Sequence, residues 1–361
     1  MLTAQDVSQL ELVVVLAGLG IGLILGWVGR YSRFCTLGAI SDWYASGDCS
    51  RLRMWLLAVA VAIAGTQALA LAGAIQIQGS FYIAPRIFWL SNIIGGLMFG
   101  FGMVLASGCG SRTLIRIGGG SLKAVVVFLV LAVFAYMTIR GIFGVLRVET
   151  VEKIFWDLGR SQDLPSLLQL DTAWTAISVI VVLILVIFSS RNFLAQPRLI
   201  FGGVVIGLLV VAGWWVTGHI GFIEEDPNTL EARFLATNSR GIESLTFVAP
   251  LAFWLDLLMF WSDASRGFTF GITTVTGVVL GSLLHALGSR SFRLEGFQNK
   301  EELAQHLAGA ALMGVGGVVA FGCTIGQGIS GLSLLALGSL LATASIIGGA
   351  WLGLRWLESR V

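Results

Sequence analysis

Charged residues are scarce in this sequence, and their scarcity excludes most kinds of soluble protein. Asp, Glu, Lys and Arg make up 12% of the 361 residues, about half the share in an average soluble domain, while 56% of the residues are hydrophobic. The mean hydropathy of +0.89 points the same way. We therefore expect lipid to be the solvent for most of the chain. The net charge of +2 is not gathered into a basic stripe, so no nucleic-acid partner is expected.

Paired cysteines and proline are also lacking. The chain has four cysteines and no C-x-x-C pair, which disfavours a zinc ribbon and a thioredoxin-like redox motif. No metal site and no cofactor are predicted, because His219, His285 and His306 each lie near the end of a predicted span and are interpreted as interfacial. Proline occurs 5 times, whereas glycine occurs 47 times. Glycine at that level lets apolar helices approach closely and unwind where they line a cavity.

Long apolar runs are what the sequence has in abundance, and they predict an all-α integral membrane protein with about nine membrane-spanning helices. The first run follows no basic segment, so we expect a retained span rather than a signal peptide. The stretch Leu245–Trp261 is interrupted by Asp256 and is interpreted as interfacial or as a half-span. The predicted spans are Leu10–Gly29, Met54–Ile75, Ile87–Leu105, Lys123–Leu146, Ala173–Phe188, Leu199–Thr217, Phe268–Leu287, Leu307–Phe321 and Leu332–Trp356.

Basic residues concentrate in alternate loops of this predicted topology. The loops that contain Arg30–Arg53 and Arg112–Lys123 are basic, whereas Glu149–Asp171 and Glu224–Glu243 are acidic. Lys and Arg accumulate on the cytoplasmic side of membrane proteins. We therefore expect a multi-pass protein of the bacterial inner membrane, with a periplasmic N-terminus and a cytoplasmic C-terminus.

Two glycine-rich segments of the chain resemble each other. GGLMFGFGMVLASGC (95–109) aligns with GAALMGVGGVVAFGC (309–323), which pairs Cys109 with Cys323. The alternation of basic and acidic loops predicts that the helices before these two cysteines run in opposite directions through the membrane. Such an arrangement is typical of the inverted repeats of secondary transporters.

A second, shorter pairing supports an internal duplication. SRFCTLG (32–38) aligns with SRGFTFG (265–271), which places Phe268 opposite Cys35. Because both pairings occur in the same order, we predict one membrane domain built from two inverted-topology repeats. The predicted bounds are 1–361 for the domain, 10–150 for the first repeat, 172–190 for a linking helix and 199–357 for the second repeat.

The two Gly-Cys segments, Ser107–Ser111 and Phe321–Gly328, carry the main functional signal. Each follows an apolar stretch and ends it with glycines. Non-helical backbone survives in hydrocarbon only where it is buried in protein or lines a polar cavity. We therefore expect the two breaks to face each other near the bilayer midplane, with short re-entrant or half helices. Unwound amides and helix N-termini suit an anion, and a neutral thiol binds it weakly enough for release.

The candidate substrate-binding residues are Cys109, Cys323, Cys35, Gly108, Gly110, Gly322, Thr324 and Gln327. Cys35 is expected near the cytoplasmic mouth of the pathway. The three thiols would lie in series, and each would pass the ligand to the next. Arg33, Arg112 and Arg266 adjoin the cysteine turns or their repeat partner, and they either attract the anion or follow the positive-inside bias. For any one cysteine the alternative is a small buried hydrophobe, and that interpretation is preferred for Cys49.

Three segments resemble the signature of the YeeE/YedE family of sulfur transport proteins: RFCTLGAISDWY, FGFGMVLASGCGSRTLIRIGGGS and GVGGVVAFGCTIGQGISGLS. The resemblance extends over nearly the whole chain. It implies a pseudo-symmetric, hourglass-like helical fold with two cysteine-bearing turns at the constriction, and uptake of thiosulfate. The conserved cysteines of the family match Cys35, Cys109 and Cys323, between which thiosulfate would pass through S–H···S⁻ contacts without a covalent bond. Some relatives work with a small TusA-like cytoplasmic sulfur carrier.

Three functions are open from the sequence alone. The first is a transporter, not an enzyme, that takes up thiosulfate or a related sulfur anion. The second is a membrane thiol oxidoreductase, which the missing C-x-x-C pair disfavours. The third is a sensor or regulatory subunit that binds the anion without moving it. The RYSRFC segment differs from the shorter RGRFC form of the family, which leaves the substrate and the partner open.

Overall fold

The computed structural model describes residues 4–227, 230–263 and 266–359, and nearly all of its regular structure is helical. The helices are α1 (Ala4–Ser32), α2 (Thr36–Ser46), α3 (Ser50–Leu71), α4 (Trp89–Leu105), α5 (Gly110–Gly118), α6 (Leu122–Ile139), α7 (Ile142–Glu149), α8 (Leu164–Leu168), α9 (Thr172–Phe188), α10 (Arg191–Leu194), α11 (Pro197–Trp215), α12 (Val248–Met259), α13 (Phe270–Gly288), α14 (Lys300–Val319) and α15 (Leu337–Glu358). Short 3₁₀ turns cover Ile77–Gly79, Phe81–Ile83 and Val151–Lys153, and π-helical segments cover Val216–Ile220 and Gly326–Gly331. Two antiparallel pairs of two-residue strands are also present: β1 (Arg86–Ile87) pairs with β2 (Trp156–Asp157), and β3 (Phe222–Ile223) pairs with β4 (Arg233–Phe234).

Seven helical segments within the described ranges are long and apolar enough to cross a membrane, which confirms the prediction of an all-α, multi-pass membrane protein. They comprise α1 with α2, α3, α4 with α5, α6, α11 with the π-helical segment after it, α13 and α15. The other two predicted spans correspond to α9, which has 17 residues, and to α14, whose first turn carries Glu301 and Glu302. The interrupted stretch Leu245–Trp261 forms the 12-residue α12.

Capping residues set where the spans begin. The Asp171 carboxylate accepts the amide of Ala173 at 2.8 Å at the start of α9, and the Asn299 side chain accepts the amide of Glu302 at 2.7 Å at the start of α14. Both caps satisfy amides that have no partner within the helix. Pro197 opens α11, a position where its missing N–H costs nothing.

The helix surfaces that face away from the core are apolar. On α9, Ile177, Val182 and Leu185 are 50%, 59% and 67% exposed. A contiguous apolar surface of this kind would drive association in water, whereas lipid tails cover it without cost. The exposed side of the bundle is therefore a lipid-facing surface.

The long helices pack in pairs, and each pair in one half of the chain has a counterpart when the helices of the two halves are exchanged. α1 packs on α13 and α11 packs on α3, while α4 packs on α15 and α14 packs on α6. By the same exchange of halves, the packing of α2 on α3 corresponds to the packing of α12 on α13. Glycines permit the closest of these contacts: a Cβ built on Gly281 of α13 would lie 2.0 Å from the carbonyl oxygen of Leu23 in α1.

This packing makes α12 the counterpart of α2, which bears on the second sequence pairing. The residue before α2 is Cys35, and the residue before α12 is Phe247, which is fully buried. Phe268 is instead 51% exposed. The structure therefore places Phe247, not Phe268, at the position that corresponds to Cys35. Ser265 of that pairing lies outside the described residues.

Candidate functional site

The three buried cysteines share one backbone arrangement. In each case a helix ends at a residue in the left-handed region, and the cysteine follows two positions later. The left-handed residues are Arg33, Ser107 and Phe321, with φ of 55°, 57° and 56°. The next amide bonds back to the carbonyl five residues before it, as Gly108 N does to Met103 O at 2.9 Å and Gly322 N does to Gly317 O at 2.8 Å. This termination satisfies the last carbonyls of α1, α4 and α14 inside the protein.

Each cysteine then begins a short helical segment. Cys35 precedes α2 and accepts the Gly38 amide at 3.3 Å, and Cys323 accepts the Gly326 amide at 3.4 Å. Cys109 precedes α5, and its Sγ lies 3.4 Å from the Ser111 hydroxyl oxygen. The thiols of Cys35 and Cys323 therefore occupy the position of a capping side chain, where backbone amides point at them.

The starts of these short segments converge in the interior. Cys35 and Cys323 each lie near enough to Cys109 to interact with it electrostatically. The backbone amide of Phe247, at the start of α12, points to the Cys323 thiol. A Cβ built on Gly110 would lie 3.5 Å from the Phe247 Cβ. Four helical starts therefore meet around the thiols, and the N-terminal ends of helices carry partial positive charge that favours an anion.

The crossing of α4 and α14 holds two of these turns together. A Cβ built on Gly95 would lie 2.4 Å from the Ala320 nitrogen, and one built on Gly309 would lie 2.6 Å from the Ala106 nitrogen. The two contacts are related by exchange of the aligned segments 95–109 and 309–323. The helices run antiparallel at this point, and each meets the residues just before the cysteine turn of the other.

Two buried hydroxyl groups beside the cysteines have no hydrogen-bond partner among the described residues. They belong to Thr36 and Thr324, which follow Cys35 and Cys323 directly. The two residues are 6% and 2% exposed, respectively. A buried hydroxyl without a partner is costly, so these two groups are suited to bind a polar ligand. Thr324 was predicted from the sequence, and Thr36 was missed although it belongs to the same Cys-Thr dipeptide.

The side-chain amide of Gln327 makes two hydrogen bonds inside the protein. Its Nε2 donates to the Ala320 carbonyl oxygen at 2.7 Å, and its Oε1 accepts the Ser339 hydroxyl at 2.6 Å. With both ends of the amide bonded to protein, the side chain ties the Cys323 turn to α15.

A cavity of about 410 Å³ opens beside the Cys109 turn, and we call it the arginine cavity. Its lining includes the four arginines Arg30, Arg112, Arg116 and Arg293 together with Ser107 of the turn. Arg116 donates to the Ser107 carbonyl oxygen at 3.4 Å. The only acid in the lining is Glu295, so among the described residues this cavity carries a positive charge excess.

Two smaller cavities lie beside the Cys323 turn. The larger, about 220 Å³, is lined mainly by apolar side chains and includes Tyr82, Glu243, Phe321 and Gly322; we call it the apolar cavity. The other, about 160 Å³, also contacts Tyr82 and Phe321 but has the amides of Asn92, Gln162 and Gln327 in its wall. Tyr82 comes from the turn before β1, and its hydroxyl lies beside Thr246. No local feature of the sequence indicated that Tyr82 would reach this turn.

The three arginines named from the sequence have different positions. Arg33 is exposed at the end of α1, and Arg112 is half-buried in the arginine cavity. Arg266 lies at the opposite side, where it pairs with Asp256 at 2.8 Å and with Asp263 at 3.6 Å. Two carboxylates therefore offset the charge of Arg266. Of the three, Arg112 alone adjoins a cysteine turn through a cavity.

The remaining glycines of the candidate set lie within the turns, and Cys49 lies apart from them. Gly108 and Gly110 flank Cys109, and Gly322 precedes Cys323. Cys49 is half-buried before α3, where its Sγ contacts the Gly47 carbonyl oxygen at 3.7 Å. Within the described ranges no three His, Cys, Asp or Glu residues are grouped so as to hold a metal ion.

The sequence of this chain matches a known protein family. The family model described as "Sulphur transport" matches residues 31–352. The chain belongs to this family. Thiosulfate transporter TsuA of Escherichia coli (strain K12) is 27% identical over 350 residues, which cover 94% of this chain and 91% of the relative. Thiosulfate transporter TsuA of Spirochaeta thermophila is 28% identical over 359 residues, which cover 96% of this chain and 100% of the relative.

A third relative matches a shorter part of the chain. Probable transporter YedE of Salmonella typhimurium is 31% identical over 118 residues, which cover 32% of this chain and 26% of the relative. The resemblance to the YeeE/YedE sulfur transport family is therefore confirmed over most of the chain, and so is the prediction of a transporter rather than an enzyme.

Proposed function

We propose that this protein takes up thiosulfate, or a closely related sulfur anion, across the bacterial inner membrane by passing it along Cys323, Cys109 and Cys35. The observation that carries the proposal is the series of three buried thiols, each at the start of a short helical segment that follows a broken helix. The full-length similarity to proteins named thiosulfate transporter supports the substrate.

The chemistry of the series suits a divalent sulfur anion. Each thiol offers a weak S–H donor and a polarisable sulfur, while helix N-termini and amides supply partial positive charge without a fixed cation. Thr36 and Thr324 would donate to the oxygen atoms of the anion beside Cys35 and Cys323. A site with no formal positive charge binds the anion without trapping it, and transport requires release as well as binding.

The surroundings of the three cysteines support a direction of transport. The arginine cavity adjoins Cys109 and lies on the side that carries most of the basic loops, which we propose is cytoplasmic. The N-terminus would then be periplasmic, and the Cys323 turn would receive the anion first. The exchange-related packing supports two inverted repeats at 10–150 and 199–357 joined by α9. A small TusA-like sulfur carrier that receives the anion on the cytoplasmic side is part of this proposal.

Uptake of radiolabelled thiosulfate into proteoliposomes tests the proposal. We expect Cys109→Ala and Cys323→Ala to abolish nearly all uptake, and Cys49→Ala, the matched control outside the series, to leave it unchanged. Undiminished uptake in Cys109→Ala or Cys323→Ala would contradict the relay. Binding without uptake by the unaltered protein would favour the sensor, and a Cys109–Cys323 disulfide found by mass spectrometry would favour the oxidoreductase.

A further inference from the structure

Uptake of a dianion works against the membrane potential, so accumulation of the anion by the proposed function needs a source of energy. An inside-negative potential of about 100 mV lowers the equilibrium accumulation of a doubly charged anion on the order of 10³-fold. A protein that moved the anion alone could not concentrate it. A group that binds a proton beside the anion path would link uptake to the proton gradient.

Glu243 carries a carboxyl group beside the proposed path of the anion. It lines the apolar cavity together with Phe321 and Gly322 of the Cys323 turn, and it is 8% exposed. Its Oε1 accepts the amide of Ser239. None of the ion pairs between described residues includes Glu243.

The other buried acids of the described chain differ from Glu243. Asp226 pairs with Arg233 at 2.9 Å, and Asp256 pairs with Arg266 at 2.8 Å. Each of these two acids therefore has a guanidinium as its ion-pair partner. Glu243 is the buried acid without such a partner, and burial raises its pKa even though the Ser239 and Asn238 amides act in the opposite direction.

Several titratable groups face Glu243 from the elements packed around it. Tyr82 and the Cys323 turn stand across the apolar cavity, and Arg147 of α7 is in its wall. Arg147 is itself paired with Glu152 at 3.1 Å. On the π-helical segment behind Glu243, the His219 ring turns away to the Ala74 carbonyl oxygen at 3.1 Å. None of these groups cancels the charge that an ionised Glu243 would place beside the anion path.

The segment that carries Glu243 also reaches the Cys323 turn through hydrogen bonds. The Leu245 carbonyl oxygen accepts the Ser330 hydroxyl at 2.7 Å, and the Phe247 amide points to the Cys323 thiol. Thr217 holds the backbone of Glu243 on its other side, with its Oγ1 accepting the Glu243 amide at 3.1 Å. Only a few residues of backbone therefore separate Glu243 from a group that faces the Cys323 thiol.

We propose that Glu243 binds a proton together with the anion and so couples uptake to proton entry, a role that rests on the proposed transport function. An ionised carboxylate in the cavity wall repels an anion at the Cys323 turn, and the low dielectric strengthens the repulsion. A protonated Glu243 does not. Proton and anion therefore raise each other's affinity by the same factor, and both are released to the cytoplasm in one cycle. One proton per anion lowers the charge moved inward from −2 to −1, which halves the cost that the membrane potential imposes.

Proteoliposomes clamped at zero membrane potential with potassium and valinomycin test this coupling. An inward gradient of about one pH unit should drive accumulation of radiolabelled thiosulfate up to about 10-fold per coupled proton. A protonophore should abolish the accumulation, and addition of thiosulfate should alkalinise a lightly buffered outer solution. Because Glu243 must be protonated for entry, initial uptake should rise as the external pH falls from about 8 to about 6.

Variants assign the effect to this residue. Glu243→Gln should keep the exchange of external labelled for internal unlabelled thiosulfate, which needs no net proton movement, and should lose gradient-driven accumulation. Glu243→Asp keeps a carboxyl group and should keep the accumulation with a shifted pH dependence. Glu224→Gln removes the same charge from an exposed position in the same loop and should behave as the unaltered protein.

The outcomes separate the coupling from the proposed function. Gradient-driven accumulation in Glu243→Gln, or loss of exchange in that variant while it elutes as the folded protein does, would overturn the role of Glu243. Exchange without any response to the proton gradient in the unaltered protein would overturn the coupling and leave transport standing. If the unaltered protein shows neither exchange nor uptake, the proposed function itself fails.

Discussion

The Cys109 turn and the Cys323 turn have the same backbone but different surroundings. Both follow a left-handed residue, and both are held by the crossing of α4 and α14. The Cys109 turn adjoins the arginine cavity, whereas the Cys323 turn adjoins two smaller cavities whose walls hold aromatic side chains, amides and Glu243. Under the proposed relay, the shared backbone sets where sulfur contacts the anion, while the side chains around each turn set how the anion arrives and leaves.

The largest effect is expected where the two turns are alike. Gly95→Ala and Gly309→Ala each place a Cβ within 2.4–2.6 Å of the backbone of the other helix, so both should destabilise the protein by about 1–3 kcal/mol or more. Thermal unfolding in detergent, followed by size-exclusion fluorescence, measures this. Gly20→Ala in α1 is the control, because a Cβ there meets nothing within 4 Å. A normal melting temperature in either test variant would show that the crossing is not shared.

An intermediate effect is expected at the threonines that adjoin two of the cysteines. Thr36→Val and Thr324→Val remove a hydroxyl that has no protein partner, so each should raise the KM for thiosulfate about 10-fold, as for one hydrogen bond to a charged ligand. Stability should be unchanged or higher, because an unpaired buried hydroxyl is lost. Thr66→Val is the control, since Thr66 is equally buried and unpartnered but adjoins no cysteine. An unchanged KM in both test variants would remove the hydroxyls from the site.

The smallest effect is expected where the two turns differ most in charge. Arg112→Gln lowers the positive charge of the arginine cavity and should reduce uptake about 3-fold at low salt, with the difference vanishing at high salt. Initial rates over a series of ionic strengths measure it. Arg33→Gln removes an exposed charge outside that cavity and should have less effect. If Arg33→Gln has the larger effect, the cavity does not guide the anion.

Much of this architecture follows from the sequence because lipid imposes simple rules. Apolar length located the spans, and glycines around Cys109 and Cys323 indicated where the helices break. The positions of the left-handed residues could not be predicted from the sequence, because Arg33, Ser107 and Phe321 have no residue type in common and none is glycine. The family resemblance supplied Cys35, which local pattern alone left open.

The parts that escaped prediction depend on contacts between distant segments. Phe247 and Glu243 reach the Cys323 turn from a loop about 80 residues earlier in the chain, and Tyr82 reaches it from the first half. A short local similarity instead suggested Phe268, which is exposed. Gly-rich segments match one another easily, so only the packing of α2 and α12 reveals which residues correspond.

The central claim is that the sulfur end of the anion meets the cysteine sulfurs, and the position of a bound anion tests it most directly. Crystals soaked with selenosulfate, in which selenium replaces the terminal sulfur, would show that atom by anomalous scattering. We expect a selenium peak within about 4.5 Å of Sγ of Cys323 or Cys109, with the oxygen atoms towards backbone amides or Thr324. A peak found only among surface arginines, with none at either thiol, would contradict the relay.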